Sequence, residues 1–495
     1  MFSKVATVLG ALFVATNAQV SFNPGVTSGL AISVLEQGKD AYFNAIMQKI
    51  NGITIPDLVS SDGKSWMKQN YFEYDSAADH VTFSTDLVNN AIVLSCSKVT
   101  AKFWSEDFRY HYAPLLTASG RLEVDLNTIR IDVGLGFNMQ VLPDGREVPV
   151  VSGQDVVVKI NRFDLKISIW GSFWADTVDL IKPFIKGPLC DLIQQTLYSA
   201  LDTTMPNLIN KGLVKSDGFL HLTKTFELDF ETPASFLVTA DAFQTDIKGL
   251  FFDNVYGEVE PAVAVPVLPY FDVTKPELYQ NYISTYSMDG LTTALLEETS
   301  ISGWVNGSYN TTITTSMLNA FLPGILSYYG DVPVAVKYTI TQLGSFSTTE
   351  GVSMINALAT MTIEFWAQTA TGPSLATSMT LVDTAIGFGI IVDNMTMQFA
   401  LATTNVDKVV VNSCSFGKLS ALLMKTELNN FFRIFTPIIN KDLAAKTFTV
   451  PSNIGGIFIL SNLTIGYYNN YLYFGMTPTF ITPALAVEEQ LAVYQ

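Results

Sequence analysis

Serine, histidine and carboxylate side chains in the order and spacing of a hydrolase would be the simplest chemistry for this chain to carry. The sequence does not assemble them. The nearest approach to a G-x-S-x-G nucleophile elbow is Gly372-Pro373-Ser374-Leu375-Ala376, in a Pro-containing loop. The three histidines, His80, His111 and His221, all precede Ser374, whereas hydrolases of that class place the histidine last. The carboxylate pairs Glu297-Glu298 and Glu488-Glu489 are adjacent in sequence and read as solvated surface, since acid/base work needs two carboxylates across a cleft. The three cysteines, Cys96, Cys190 and Cys414, are far apart, with no CxxC or Cys/His cluster, so no metal site is expected. Polar catalysis is therefore not expected, and what remains to do chemistry is apolar contact.

The elements that would supply such contact are legible as two periodicities. Ile129, Ile131, Val133, Leu135, Phe137, Met139 and Val141 alternate with Arg130, Asp132, Gly134, Gly136, Asn138 and Gln140, a strand with one apolar and one wet face. Phe163, Leu165, Ile167 and Ile169 repeat the alternation. A helix over 189–213 then offers Leu189, Ile193, Leu197, Leu201, Met205 and Leu208 on one face, with Pro183 and Pro188 expected to delay or kink its start. The second half has the same parts: a helix over 419–443 with Leu423, Leu428, Phe435, Ile439 and Leu443, then strands around Leu463 and Phe474. A curved antiparallel sheet wrapped on one long helix either packs solid or leaves an apolar slot.

The remaining segments fit around these. Residues 24–55 carry Leu30, Val34, Leu35, Ala41, Ala45 and Ile46 at helical spacing, closed by Asn51-Gly52 and Pro56. A strand meander spans 80–170, with Asp144-Gly145 as a hairpin turn, and more strand follows to about Tyr256. Pro261, Pro266, Pro269 and Pro276 then mark a stiff linker. A short helical stretch over 316–328 with Met317, Phe321, Ile325 and Tyr328, and a second meander over 332–411, complete a copy of the architecture.

Composition bounds the setting. The chain has 495 residues and is 48% hydrophobic but only 15% charged, with mean hydropathy +0.29. Apolar runs beyond the first 20 residues, such as 385–392, are far shorter than the ~20 residues a bilayer span needs. The excess apolarity is expected to be buried in protein or covered by ligand. Lys4, the apolar stretch 5–14 and Thr16-Asn17-Ala18 before Gln19 read as a signal peptide cleaved after residue 18. The mature protein is then expected outside the cell or in the lumen of the secretory-vacuolar system. The sequons at Asn306, Asn310, Asn394 and Asn462 fit that route. Net charge is −17, and both halves are acidic, which disfavours nucleic acid and any general attraction to anionic lipid.

Particular residues carry a resemblance. Asn23-Pro24-Gly25-Val26, the stretch Gln48-Lys49-Ile50-Asn51-Gly52-Ile53-Thr54-Ile55-Pro56-Asp57 and the helix around Cys190 resemble the bactericidal/permeability-increasing protein family. So do Ile438-Ile439-Asn440-Lys441, Phe448-Thr449-Val450-Pro451 and Tyr471-Leu472-Tyr473-Phe474-Gly475. That tubular lipid-binding family includes lipopolysaccharide-binding protein and the cholesteryl ester and phospholipid transfer proteins. The resemblance implies an α+β fold: a boomerang of two tubular barrels, each a highly twisted antiparallel sheet wrapped on a long helix, joined by a central sheet. The expected division is a signal peptide 1–18, an N-terminal lipid-binding barrel 19–256, a Pro-containing linker 257–277 and a C-terminal barrel 278–495.

The function the resemblance implies is a secreted, non-catalytic lipid-binding or lipid-transfer protein without cofactor, holding phospholipid or a similar lipid and meeting membrane or lipoprotein surfaces transiently. Expected lipid contacts are Leu30, Val34, Ile46, Trp170, Phe173, Trp174 and Ile193 in the first barrel, and Phe321, Ile325, Phe435 and Ile439 in the second. The aromatics beside the first long helix are open to two roles, core packing or the mouth of a slot. The second reading is a host-defence protein that binds lipopolysaccharide. Against it, the hairpin 144–154 has only Arg146, beside Glu147, and Lys64 and Lys68 are a thin substitute for the family's basic tip. The family's disulfide also lacks its strand partner in 146–159. Cys190 is expected as a buried thiol, with Cys96–Cys190 pairing left open.

Overall fold

The computed structural model describes residues 23–480 apart from 52–54, 78, 114–115, 143–144, 162–164, 171–174, 208–209, 211–218, 222–225, 230, 234–235, 262, 299–300, 306–312, 445–446, 451 and 455–457. The signal-peptide reading lies outside these residues. Alternating patterns give strands of unusual length, Ala91–Ala113 with 23 residues and Leu116–Val141 with 26. At about 3.4 Å per residue the longer would reach roughly 88 Å if straight, so it must twist and curl. Its inner face is Leu122, Val124 and Leu126, then Ile129, Ile131 and Val133, all 0% exposed. The change from even to odd positions is possible because the register against the preceding strand slips between Val99 and Ala101. A bulge here keeps the apolar residues on one face of a bending strand.

These two strands sit in a curled antiparallel sheet with Leu58–Val59, Trp66–Ala77 and Glu147–Ile160, while Thr82–Asp86 and Leu165–Trp170 pair on its flanks. A second curled sheet holds Ile301–Trp304, Val334–Leu343, Val352–Thr369, Gly372–Asp393, Thr396–Asn405 and Thr447–Thr449, with Ser347–Thr349 and Lys408–Cys414 at its sides. Each carries one long helix, Ala175–Ser199 on the first and Ala421–Ala444 on the second. Between the two units lies a central sheet in the order Leu237–Val238, Ala242–Ile247, Val26–Ala31, Tyr279–Ser284, Tyr471–Phe480, Phe458–Tyr468, Asn453–Ile454. Both halves of the chain thus contribute strands to one sheet. The α+β expectation of two curled sheets on long helices, joined by a central sheet, holds.

Several local expectations need correction. Residues 26–31 are strand and not helix, because they pair on both sides, with 242–247 and with 279–284; tertiary pairing outweighs the helical spacing of Leu30. Helix begins at Ile32 and breaks at Gly38, giving Ile32–Gln37 and Lys39–Ile50. The first long helix starts at Ala175, so its backbone runs through both Pro183 and Pro188 instead of waiting for them. It then widens into a π turn, Ala200–Thr204. The stretch 316–328 is two short helices, Thr315–Leu318 and Ile325–Tyr329, separated where Gly324 takes a left-handed φ of 96°. The helix Thr285–Glu298 was not anticipated; it packs on the strand Leu250–Asp253. In the second long helix Leu423 points outward, and Met424, Leu428, Phe431, Phe432 and Phe435 form the buried stripe.

Candidate apolar sites and the junction between them

In the N-terminal unit the long helix turns Leu189, Cys190, Ile193, Leu197 and Leu201 into one core. They meet Ile129, Ile131, Val133, Val158 and Ile160 of the sheet and Phe43 and Met47 of Lys39–Ile50. Ile193 is fully buried in it, and Ile46 is half-buried against it. The other expected contacts go elsewhere. Leu30 and Val34 belong to a separate cluster with Phe137, Phe236, Phe243 and Phe458, where the unit meets the central sheet. Trp170 ends its strand opposite Arg121 and is 61% exposed. Phe173 and Trp174 lie outside the described residues. The five of them among the described residues therefore do not converge on one place.

In the C-terminal unit the four expected residues do converge. Phe435 stacks on Phe431 at 4.3 Å, and Phe321 meets both edge-on at 6.3 and 6.0 Å. Ile325 is buried in the same core and Ile439 half-buried against it. Around them Tyr338, Ile340, Phe388, Leu401, Val411, Phe416 and Leu419 touch the core yet stay half-exposed. Phe431 was absent from the expected set although it lies one helical turn before Phe435, a spacing the sequence shows.

The helices are fixed to the sheets by side-chain amides. Asn440 Oδ1 accepts from the Leu401 N–H at 2.7 Å while its Nδ2 donates to the Leu401 carbonyl at 3.0 Å. Asn429 brackets Val406 in the same way, at 2.8 and 3.2 Å. In the first unit Asn210 brackets Val151 at 2.7 and 2.8 Å, and Gln194 Oε1 accepts from Ile160 N–H at 2.8 Å. Each amide stands in for a neighbouring strand on backbone groups that would otherwise lack one.

At the junction of the units lies a cavity of about 180 Å3 lined by Asn23, Glu231, Lys248, Glu260, Val265 and Tyr286. That is below the ~300–1,000 Å3 of ligand pockets. Lys248 Nζ lies 3.0 Å from Asp229, 2.8 Å from Glu258 and 3.2 Å from Glu260, and Tyr286 donates to Glu260. Burial opposes the charge on Lys248, but the Glu258 and Asp229 carboxylates outweigh it and raise the ammonium above the usual lysine range. Burial raises Asp229, and burial together with Asp229 raises Glu231. The cluster ties the linker to both units.

The histidines and the serine singled out in the sequence lie on separate segments of the fold. His80 is exposed, His111 Nδ1 lies 2.9 Å from Thr117 Oγ1, and Ser374 Oγ is 3.4 Å from the Tyr329 hydroxyl. No group of three or more potential metal ligands occurs among the described residues. Cys96, Cys190 and Cys414 are not joined by disulfide; the first two are buried. Asn394 and Asn462 are exposed with left-handed φ of 54° and 56°. Asn306 and Asn310 lie outside the described residues.

No family model and no curated protein matches the sequence. Solved structures do resemble it. The structure of lipopolysaccharide binding protein is 17% identical over 93% of this chain and 100% of that one, with TM-score 0.48. P47 from Clostridium botulinum A2 is 9% identical over 91% and 96%, with TM-score 0.26. Takeout 1 of Epiphyas postvittana is 14% identical over 36% and 89%, with TM-score 0.21. These are likenesses of fold.

Proposed function

We propose that the protein is a secreted, non-catalytic lipid carrier whose ligand lies between long helix and curled sheet. The observation that carries this reading is the apolar interior of the C-terminal unit. Seven largely apolar side chains pack against its core while staying only partly buried, and the apolar surface they leave in water costs about 25 cal/mol per Å2. An acyl chain laid along them would remove it from water, each buried methylene contributing about 0.8 kcal/mol. Contact of this kind measures chain length and shape and is indifferent to most head groups. The lipopolysaccharide binding protein among the structural neighbours is, by its name, a lipid binder too.

Binding to lipopolysaccharide is the less favoured reading here, for an electrostatic reason. Arg146 packs over the Phe219 ring at 3.8 Å, Lys64 sits 4.0 Å from Asp62, and Lys68 lies over Trp66, whose indole donates to Asp107. The structure separates these cations: Arg146 follows the strand end at Val141 and lies near Glu231 at the junction, whereas Lys64 and Lys68 lie by the other end of that strand, near Arg109 and Ser119, so they form no basic tip in a chain of net charge −17. Native mass spectrometry of the protein from its own secretory host tests the carrier reading. The expected mass exceeds that of the glycosylated polypeptide by one or two lipids, recoverable by solvent extraction. A mass equal to the polypeptide and its sugar alone, with an empty extract, overturns it.

A further inference from the structure

A second kind of site lies on the central sheet, away from both apolar interiors. Tyr282 on strand Tyr279–Ser284, Tyr473 on Tyr471–Phe480 and Tyr468 at the end of Phe458–Tyr468 turn their rings toward one point. Lys275 Nζ occupies it, 3.6 Å from the centre of the Tyr473 ring, 4.8 Å from Tyr468 and 5.7 Å from Tyr282, and it donates to the Tyr468 hydroxyl at 2.9 Å. The walls are rigid. Tyr282 and Tyr473 are 1% and 5% exposed, and Tyr471 braces the cage by stacking on Tyr468 at 5.0 Å and meeting Tyr282 at 6.0 Å. The Tyr473 hydroxyl donates to Glu277 Oε2 at 2.9 Å, and Tyr282 donates to Gln280 Oε1 at 3.0 Å, so both rings are locked from behind.

The lysine arrives differently. It closes a short turn in which Lys275 N–H donates to the Asp272 carbonyl and Asp272 Oδ1 caps Thr274. Next to it Val273 and Tyr270 face solvent. The turn is held to the sheet through Gln280, which accepts from Asp272 N–H and donates to its carbonyl, and through Lys275 itself. Built walls and a cation on a surface turn are the parts of a cage with a removable occupant. The carboxylates of Glu277 and Asp272 act on the same charge and favour any cation in the cage. An ammonium, however, is compact and strongly hydrated, and three ring faces with one hydroxyl are an imperfect exchange for its water. A quaternary ammonium has no N–H to satisfy and sheds water easily, and aromatic cages bind it for that reason.

We propose that Tyr282, Tyr468 and Tyr473 form a cage for a quaternary ammonium group, the chemistry of choline compounds, and that Lys275 is its resident plug. The source as a lipid head group rests on the carrier reading; the cage itself does not. In a carrier, docking of a choline head group would expel Lys275 and loosen the linker turn, so that head-group recognition at the junction is coupled to the connection between the units.

The test uses the full chain and tetramethylammonium chloride as probe, with sodium chloride at matched ionic strength as control. K275M is expected to bind the probe at least about tenfold more tightly than wild type, the gain from removing a resident cation, while K275R stays blocked and the K275M/Y473L double variant loses the site. In wild type, saturating probe is expected to raise the acetylation rate of Lys275, read by peptide mass spectrometry. This second measurement needs no variant to fold. A folded K275M without saturable binding, or a Lys275 acetylation rate indifferent to the probe, overturns the proposal. Competition by free phosphocholine assigns the site to soluble choline compounds, and competition by phosphatidylcholine but not phosphatidylglycerol vesicles alone assigns it to a lipid head group. Competition by neither overturns the choline assignment. Lipid extraction reports on the carrier reading separately, so either idea can fail while the other stands.

Discussion

Asp289 is a residue whose chemistry departs from its sequence context. It lies buried on Thr285–Glu298 and accepts from the Phe346 N–H at 2.6 Å, and burial pushes its carboxyl up to about 6. A carboxyl raised in the folded state binds a proton that the unfolded chain has released. Its contribution is therefore fully present below the unfolded value of about 3.9 and is lost as pH rises through about 6. Burial raises Asp229, Glu231 and Asp246 in the same direction. The partly exposed acids Asp79 and Asp86 are lowered, mainly by hydrogen bonds, and act oppositely, but only at more acid pH. Thermal stability should accordingly be higher at pH 5 than at pH 7.5. Asp289→Asn, which keeps the acceptor and removes the charge, should gain about 1–3 kcal/mol at pH 7.5 and almost nothing at pH 4. A gain of equal size at both values would exclude the titration of Asp289 as its cause. None of this was legible beforehand, because the helix holding Asp289 was itself unread. The scattered histidines and the isolated Ser374 were legible, since distance in sequence order already separates them.

At the scale of elements, periodicity found both long helices and both meanders, because an apolar stripe at 3.6 and an alternation at 2 are imposed by burial on one face. It failed where pairing decided the outcome. Leu30 fits a helical stripe, but its segment is held between two strands and its side chain packs with Phe137, Phe243 and Phe458. The second apolar site was read more fully than the first because its helix and the short helices 315–329 share one core. The amides that fix the helices were invisible for another reason: Asn440 and Asn429 look like ordinary polar helix positions until the strand edge is placed beside them. Replacing Asn440 by Leu removes both hydrogen bonds and leaves the Leu401 N–H and carbonyl without that partner. The expected loss is ~1–3 kcal/mol in urea unfolding, and under the proposed carrier function the larger effect falls on retained lipid, because the helix would no longer be pinned over the apolar interior. Unchanged stability and unchanged lipid content in Asn440→Leu would show that the bracket contributes nothing.

The whole molecule is joined by its central sheet more than by its linker. Val26–Ala31 of the first half lies directly between Ala242–Ile247 of the same half and Tyr279–Ser284 of the second, which in turn pairs with Tyr471–Phe480. The cluster around Leu30 draws Phe458 and Phe480 from the far end of the chain. Gln244 and Gln280 hold the linker at Phe271 and Asp272, and Lys248 holds it at Glu258 and Glu260. Prolines in 261–276 mark that segment in the sequence, but they describe a connector and not how firmly it is fastened. A fragment spanning 19–256 would keep the first core intact. It would lose the strand that covers Val26–Ala31, the rings of Phe458 and Phe480, and two of the carboxylates on Lys248. An open strand edge beside an uncovered apolar cluster pairs with other chains. The fragment is therefore expected to self-associate and to bind an apolar dye, even with its own curled sheet formed. Size-exclusion chromatography with dye fluorescence checks this. A monomeric fragment with little dye binding would mean that the central sheet is dispensable to the first unit and that the two units fold independently.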